Sequence, residues 1–468
     1  MKLVRSLLVG VASASGAFAA LACGSTERRP DYWPDADIGP SLPDASTQSV
    51  DGATDASANK PPLDPADEPV VCAVTPCAIE LVAGDEHFCA RMNDGTVRCW
   101  GDDAKGALGN GPRADSGAPD EGDPPSSVDA GWTVSRVTDL TGVRQLGAGG
   151  RTTCAVVTDG TAYCWGANDA GQLGLGESIP VFDEERHPTP KAIALPAAVT
   201  RVDVGPSSAC AVLQTGELWC WGDNSNAQLA RTTSTAVGVP GKAETGSLRI
   251  VATAIGTRTT LGVTNDGDVV SWGTLEPVRS PVAGRESSLL RDPRPLAIGL
   301  GSVTHLDVTP TLALTVGQET RSIAHACATA GGEIWCWGDS SMGALGMGLP
   351  ALVLQPRRTE PENTTAWSQQ VAVGGDFTCL RLTDGTIECA GDNAFGALGR
   401  DPSIPFAVFF ARAQAFDQRA VKVAAAAHAV CVLVQDGSVL CWGSNRRGEL
   451  GQGTTDFDPH PSAVRVRL

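Results

Sequence analysis

Seven times along this 468-residue chain, a short apolar strand, a tight polar turn and a second strand follow one another in the same order. The segments are HFCARMNDGTVRCWGDDAKGALG, TTCAVVTDGTAYCWGANDAGQLG, SACAVLQTGELWCWGDNSNAQLA, TTLGVTNDGDVVSWG, AHACATAGGEIWCWGDSSMGALG, FTCLRLTDGTIECAGDNAFGALG and AVCVLVQDGSVLCWGSNRRGELG. Their leading cysteines fall at Cys89, Cys154, Cys210, Cys327, Cys379 and Cys431, with Leu261 in that place in the fourth unit. Steps of 51 to 66 residues around a strand–turn–strand core are the mark of a propeller, in which each unit is one small sheet that must stack on its neighbours. Alternating strands such as RVDVG precede each core and strands such as KAIAL follow it, which makes four strands per unit. Strands such as CAVV and CVLV are apolar on both faces, as blades sandwiched between blades require. The expectation is an all-β, seven-bladed β-propeller over residues 69–468, with units at about 78–143, 144–199, 200–248, 249–302, 303–368, 369–418 and 419–468. The final strand, SAVRVRL, is expected to complete the last blade and close the ring.

Composition agrees. With 54 Gly and 31 Pro but only 19% charged residues, the chain is rich in turns and poor in helix surface, against a coiled coil or helical bundle. A net charge of −18 argues against a nucleic-acid partner, because phosphate contacts need a basic face.

The first 22 residues read as a secretory signal: Lys2 and Arg5, then the apolar run LLVGVASASGAFAALA, too short and too rich in small residues to span a bilayer. Cys23 follows Ala20-Leu21-Ala22, a pattern like the lipobox of bacterial lipoproteins, so Cys23 is a candidate for lipidation; ordinary cleavage after Ala19 or Ala22 is the alternative. Residues 23–68 have no apolar periodicity. From Gly24 to Glu68 there are ten acidic and three basic residues among Pro, Asp, Ser and Ala, so this stretch is expected to be a disordered tether. Fifteen cysteines also fit an oxidising compartment, here the cell envelope or, without acylation, the medium.

Six units carry a cysteine pair. Five pairs are ten residues apart: Cys89 with Cys99, Cys154 with Cys164, Cys210 with Cys220, Cys379 with Cys389, and Cys431 with Cys441. That spacing centres a hairpin with a three-residue loop such as Asn93-Asp94-Gly95, whose glycine takes the left-handed position. Cys327 and Cys336 are nine apart and enclose Gly331-Gly332, which suits a two-residue primed turn. Loop length and spacing change together, and the fourth unit loses both members, as Leu261 and Ser271. Pairs that keep register and vanish together read as cross-strand disulfides; zinc is the rival, but no CxxC spacing supports it. Cys72 and Cys77 flank Thr75-Pro76 and are expected to pair, which leaves Cys23 as the odd cysteine.

The repeated order of a Gly-x-x-His-Thr-like element, DG, WG and GQLG resembles the regulator of chromosome condensation (RCC1) repeat family, over roughly residues 78–468. WG recurs at Trp100, Trp165, Trp221, Trp272, Trp337 and Trp442, while Ala390 replaces Trp in the sixth unit. The resemblance implies a seven-bladed propeller used as a docking platform.

No G-x-S-x-G elbow, H-E-x-x-H helix or phosphate loop occurs, so neither an enzyme nor a bound cofactor is expected. His87, His325 and His428, two or three residues before a cysteine, are read as buried hydrogen-bonding groups of their strands, and Trp219 and Trp335 as packing residues. The acidic insertion Arg113 to Val134 reads as a solvated loop. The functional expectation is a non-enzymatic, lipid-anchored scaffold of the bacterial envelope that binds another protein through one face, with the membrane touched only by the N-terminal lipid. Alternatives are an inhibitor of a secreted enzyme, like the propeller-type β-lactamase inhibitor, and a binder of cell-wall carbohydrate. Nucleotide exchange on Ran, the family's best-known activity, is not carried over, because no exchange-site residue is matched.

Overall fold

The computed structural model describes residues 60–64, 66–112, 132–176, 181–232, 237–275, 281–309, 313–316, 319–322, 324–348 and 352–468. Cys23 and most of the acidic insertion lie outside them. Seven four-stranded antiparallel sheets follow one another at 78–136, 143–192, 199–242, 250–297, 303–359, 368–412 and 420–465. Each is a meander running from an inner strand to an outer one; blade five adds a hairpin, Ala313–Val316 with Glu319–Ser322, between its first two blade strands. Most of the apolar core lies between blades: one cluster joins Leu108 and Val137 of blade one to Trp165 of blade two, and another joins Val421 and Leu450 of blade seven to Phe88 and Trp100 of blade one.

The two turn types differ as the spacings do. Gly95 has φ 76° and its N–H donates to Met92 O, closing the three-residue loop, whereas Gly331 (58°) and Gly332 (81°) fill the two positions between the paired residues Ala330 and Glu333. Both arrangements set the cysteines directly opposite each other on the two middle strands of a blade. Cys89 is bridged to Cys99, Cys154 to Cys164 and Cys210 to Cys220 in blades one to three. Cys327 is bridged to Cys336, Cys379 to Cys389 and Cys431 to Cys441 in blades five to seven. The Cα atoms are 4.1 Å apart in every one of these six, whether the spacing is nine or ten. Cys72–Cys77 is the seventh bridge.

The glycine of WG is a backbone requirement independent of the tryptophan. All seven, from Gly101 to Gly443, have φ between 100° and 114°, and an added Cβ would fall 2.3–2.6 Å from the carbonyl oxygen of the preceding turn. That carbonyl instead accepts the N–H of the next residue, as Glu86 O does from Asp102. Gly391 keeps this geometry beside Ala390. The tryptophan latches blades together: Nε1 of Trp165, Trp221, Trp272, Trp337 and Trp442 each donates to a carbonyl in the loop of the blade before it. In blade six Phe410 supplies the missing bulk, with its ring against Gly346.

The ring closes without exchanging a strand. His460–Arg465 is the outer strand of blade seven, and all four strands of blade one come from the N-terminal end. Closure is made by packing and by hydrogen bonds across the seam: Trp100 Nε1 donates to Glu449 O, and the N–H groups of Val71, Ala73 and Ala78 donate to the carbonyls of Gln435, Asp436 and Gly437.

Candidate protein-binding surface

Strand direction defines two faces. One, the hairpin face, carries the turns between the two middle strands and the links from blade to blade. The other, the loop face, carries the turns after each inner strand and the longer loops that lead to each outer strand. Between them runs an axial cavity of about 230 Å³ lined by the inner strands, including Arg201, Asp203, Thr253 and Asp307. Arg201 pairs with Asp203, whose other oxygen accepts from Thr253 N–H and hydroxyl, so much of the polar lining is satisfied internally. Burial raises the Asp307 carboxyl to about 6 although it accepts the N–H groups of Val308 and Val373.

The six cross-strand bridges take no part in either face. Cys99, Cys164, Cys220, Cys336, Cys389 and Cys441 follow the hairpin turn on the third strand of their blades, and each is fully buried in the blade core. Their work is to fix the two middle strands from which the loops project.

On the loop face, blades six and seven present an aromatic and cationic cluster. Arg446 lies 4.3 Å over the Phe395 ring and 5.3 Å from that of Phe457, and the His428 ring packs on Phe395 at 4.9 Å. Phe457 is 78% exposed, Phe409 62%, Ile404 50% and Phe406 42%. The loops that carry them are braced from within. Asn393 accepts the Leu398 N–H and donates to the carbonyls of Asp401 and Ile404, while Asn445 donates to Thr454 O and Asp456. Asp456 in turn holds His460 at 2.6 Å. Burial and then the Arg446 charge lower the pKa of His428, so its imidazole is neutral at pH 7. Exposed phenylalanines around an arginine on rigid loops are the composition of an interaction surface, in which aromatic rings and Arg are enriched.

The histidines divide. His87 Nε2 lies 2.8 Å from Thr153 Oγ1, and Thr153 donates to Ala107 O, so His87 ties blade one to blade two. His325 does the same between blades five and six through Thr378, with Thr309 on its other nitrogen. His428 differs from the sequence reading: it precedes the strand Ala429–Val434, and three residues before Cys431 is already in the turn, where its ring packs at a tilt against Phe395. Trp219 and Trp335 are partly buried against blade cores, and Trp219 Nε1 donates to Glu217. The exposed phenylalanines belong to no repeated motif and were not singled out by the sequence. The available signal was density: six of the ten Phe lie between positions 395 and 457.

The hairpin face is covered in part by the chain's own residues 60–64 and 66–76. Trp367 Nε1 donates to Pro61 O, Gln369 to Ala66 O, and Arg419 and Lys422 pair with Glu68 and Asp67. Residues 60–64 and 66–68 therefore lie against blades six and seven.

Two models of the regulator of chromosome condensation (RCC1) repeat match, one at residues 78–107, 143–172, 199–228 and 420–449, the other at 159–212, 331–381 and 436–467. The chain carries RCC1 repeats. It is similar to the ultraviolet-B receptor UVR8 of Arabidopsis thaliana, 28% identical over 397 residues covering 82% of this chain and 81% of that one. It is 26% identical over 284 residues to the human E3 ubiquitin-protein ligase HERC2, a match covering 60% of this chain and 5% of HERC2. Among solved structures, yeast RCC1 (Prp20) bound to Kap60 superposes with a TM-score of 0.63 at 18% identity, covering 90% of this chain and 91% of that one. At that identity the likeness speaks for the fold.

Proposed function

We propose that this propeller is a non-enzymatic scaffold that binds another protein through the loop face of blades six and seven. The observation that carries the reading is the cluster of exposed Phe457 and Arg446 around half-buried Phe395, with exposed Phe406 and Phe409 on the neighbouring outer strand. An RCC1-type propeller solved with Kap60 supports protein docking as a use of this fold. Display on the bacterial cell envelope through a lipidated Cys23 is part of the proposal, and the lipobox-like run Ala20-Leu21-Ala22 before that cysteine supports it.

The test is affinity capture with the full-length, oxidised protein from envelope and culture extracts of the host, alongside Arg446→Ala/Phe457→Ala. One dominant protein retained by the native chain and reduced at least about tenfold with the variant, the loss expected when an interface hot spot is truncated, supports the reading. Retention of polysaccharide alone overturns it in favour of wall binding. The aromatic character of the patch favours inhibition of a secreted enzyme as the second reading, decided by whether a captured enzyme loses activity in the complex.

A further inference from the structure

The hairpin face holds a cationic socket that is imperfectly filled. Asp67 lies among Lys422, which pairs with one carboxylate oxygen, and Gln370 Nε2, 2.9 Å from the other. His305 Nε2 is 3.8 Å from Asp67 and Arg381 Nη2 is 3.7 Å away. The Arg381 side chain has no exposed surface, and none of its three guanidinium nitrogens has a hydrogen-bond partner among the described residues. A buried guanidinium without hydrogen bonds is costly, and its natural complement is a carboxylate held by two parallel hydrogen bonds. Asp67 stops short of that geometry. The site also reads main chain: Trp367 donates to Pro61 O at 2.7 Å, Lys60 lies 4.4 Å over the same indole, and Gln369 reaches the carbonyls of Asp64 and Ala66. Asp67 and Glu68 remain 33% and 25% exposed, so their ion pairs are of the partly solvated kind that contributes little and exchanges readily.

We propose that this socket is a binding site for an extended, proline-containing acidic segment of a partner protein, and that residues 60–64 and 66–68 occupy it as a tethered stand-in. Recognition of main-chain carbonyls beside the carboxylate selects a peptide over a small diacid. The geometry selects glutamate over aspartate at the central position, because one more methylene carries the carboxylate to Arg381. The tether holds its own segment at an effective concentration in the millimolar range, so partners bind by displacing it. This site lies on the face opposite the Phe457 cluster and stands or falls apart from that reading.

The experiment uses full-length protein and two fluorescein-labelled peptides, KPPLDPADEPV (residues 60–70) and KPPLDPAEEPV, followed by anisotropy. Asp67→Asn/Glu68→Gln removes the resident carboxylates and leaves the cations of the socket unpaired; it is expected to bind both peptides, the Glu form about tenfold more tightly, the worth of one added charge-assisted contact. The native chain is expected to bind at least about tenfold more weakly than this variant, because its own segment competes. Adding Lys422→Gln, a surface change, or Arg381→Met is expected to abolish binding, with folding checked by circular dichroism. Equal binding by native and variant chains, preference for the Asp peptide, or no binding by the emptied variant overturns the proposal. Capture through the loop face, measured with Arg446→Ala/Phe457→Ala, is expected to be indifferent to all these changes.

Discussion

Asp85 and His87 lie two positions apart on one turn of blade one, and burial moves them in opposite directions. Desolvation, with the Glu86 charge adding to it, raises the Asp85 carboxyl to about 6; desolvation lowers the fully buried His87 to about 4. The unfolded chain releases the aspartate proton near pH 4, whereas the folded state keeps it to about 6, so ionising Asp85 costs stability progressively between those values and fully above them. His87 works the other way: its contribution is complete above its unfolded pKa near 6.5 and is lost as the pH falls toward 4. Acidification from pH 7 to 5 therefore brings a gain from Asp85 and a loss from His87 that partly cancel. Asp85→Asn removes the first and leaves the second. The variant is expected to be more stable than the native chain at pH 8, by up to about 3 kcal/mol, with the advantage vanishing by pH 4. Urea titrations at pH 4.5, 6 and 8 check it; an advantage that does not change with pH removes the titration argument. The place of His87 two before Cys89 was legible in the sequence, but the burial of Asp85 was not. It is produced by neighbours distant in the chain, with Asp85 N–H donating to Gly150 O and its carbonyl accepting from Ala427.

At the scale of the blade, nearly everything was legible, because the constraints are local and repeat. The cysteine spacing of ten or nine follows hairpin length, and the glycine after each tryptophan answers one clash with the preceding turn. Blade four shows what a blade does without a disulfide. Leu261 and Ser271 are directly opposite, and Ser271 Oγ accepts from Arg285 Nε at 3.1 Å while Asp292 lies within 3.4 Å of the same guanidinium. The polar network occupies the place of the bridge. Leu261→Cys/Ser271→Cys is expected to oxidise spontaneously. Relative to Leu261→Cys alone, it should add about 1–2 kcal/mol, the loop-entropy gain of a short hairpin less one hydrogen bond to Arg285. The comparison is read from thermal unfolding of both variants, with thiol titration confirming the bridge; an oxidised double variant no more stable than the single one would show that the Arg285 contact outweighs it. What the repeat could not indicate is which blade carries the exposed aromatics. Phe406 and Phe409 are on the same outer strand as the buried Phe410, whose ring packs against Gly346 of the blade before it.

For the whole molecule the weak point is the seam. Every other blade boundary is crossed by continuous chain, but blades seven and one meet only through non-covalent contacts and the segment before the first strand. Closure was the part of the fold least legible in advance, since it depends on where both ends of a ring fall in space and no local pattern encodes that. The segment compensates in a particular way. Val71, Ala73 and Ala78 donate to three successive carbonyls of the blade-seven hairpin, and Cys72–Cys77 ties the first two donors to the start of the first strand. In a ring of units that contact mainly their neighbours, opening begins where the coupling between neighbours is weakest. Cys72→Ser/Cys77→Ser is therefore expected to raise amide exchange selectively in Ala78–Ala83 and Ala429–Val434, leaving the middle strands of blades three and four at native protection. The Trp100 indole N–H, which bonds across the seam to Glu449 O, should exchange faster as well, whereas that of Trp221, bonded to Gln172 O inside the ring, should not. Hydrogen exchange followed by mass spectrometry, with NMR for the two indoles, separates the outcomes. Uniform acceleration across all blades would mean that the ring opens as one unit and that the bridge acts on global stability alone.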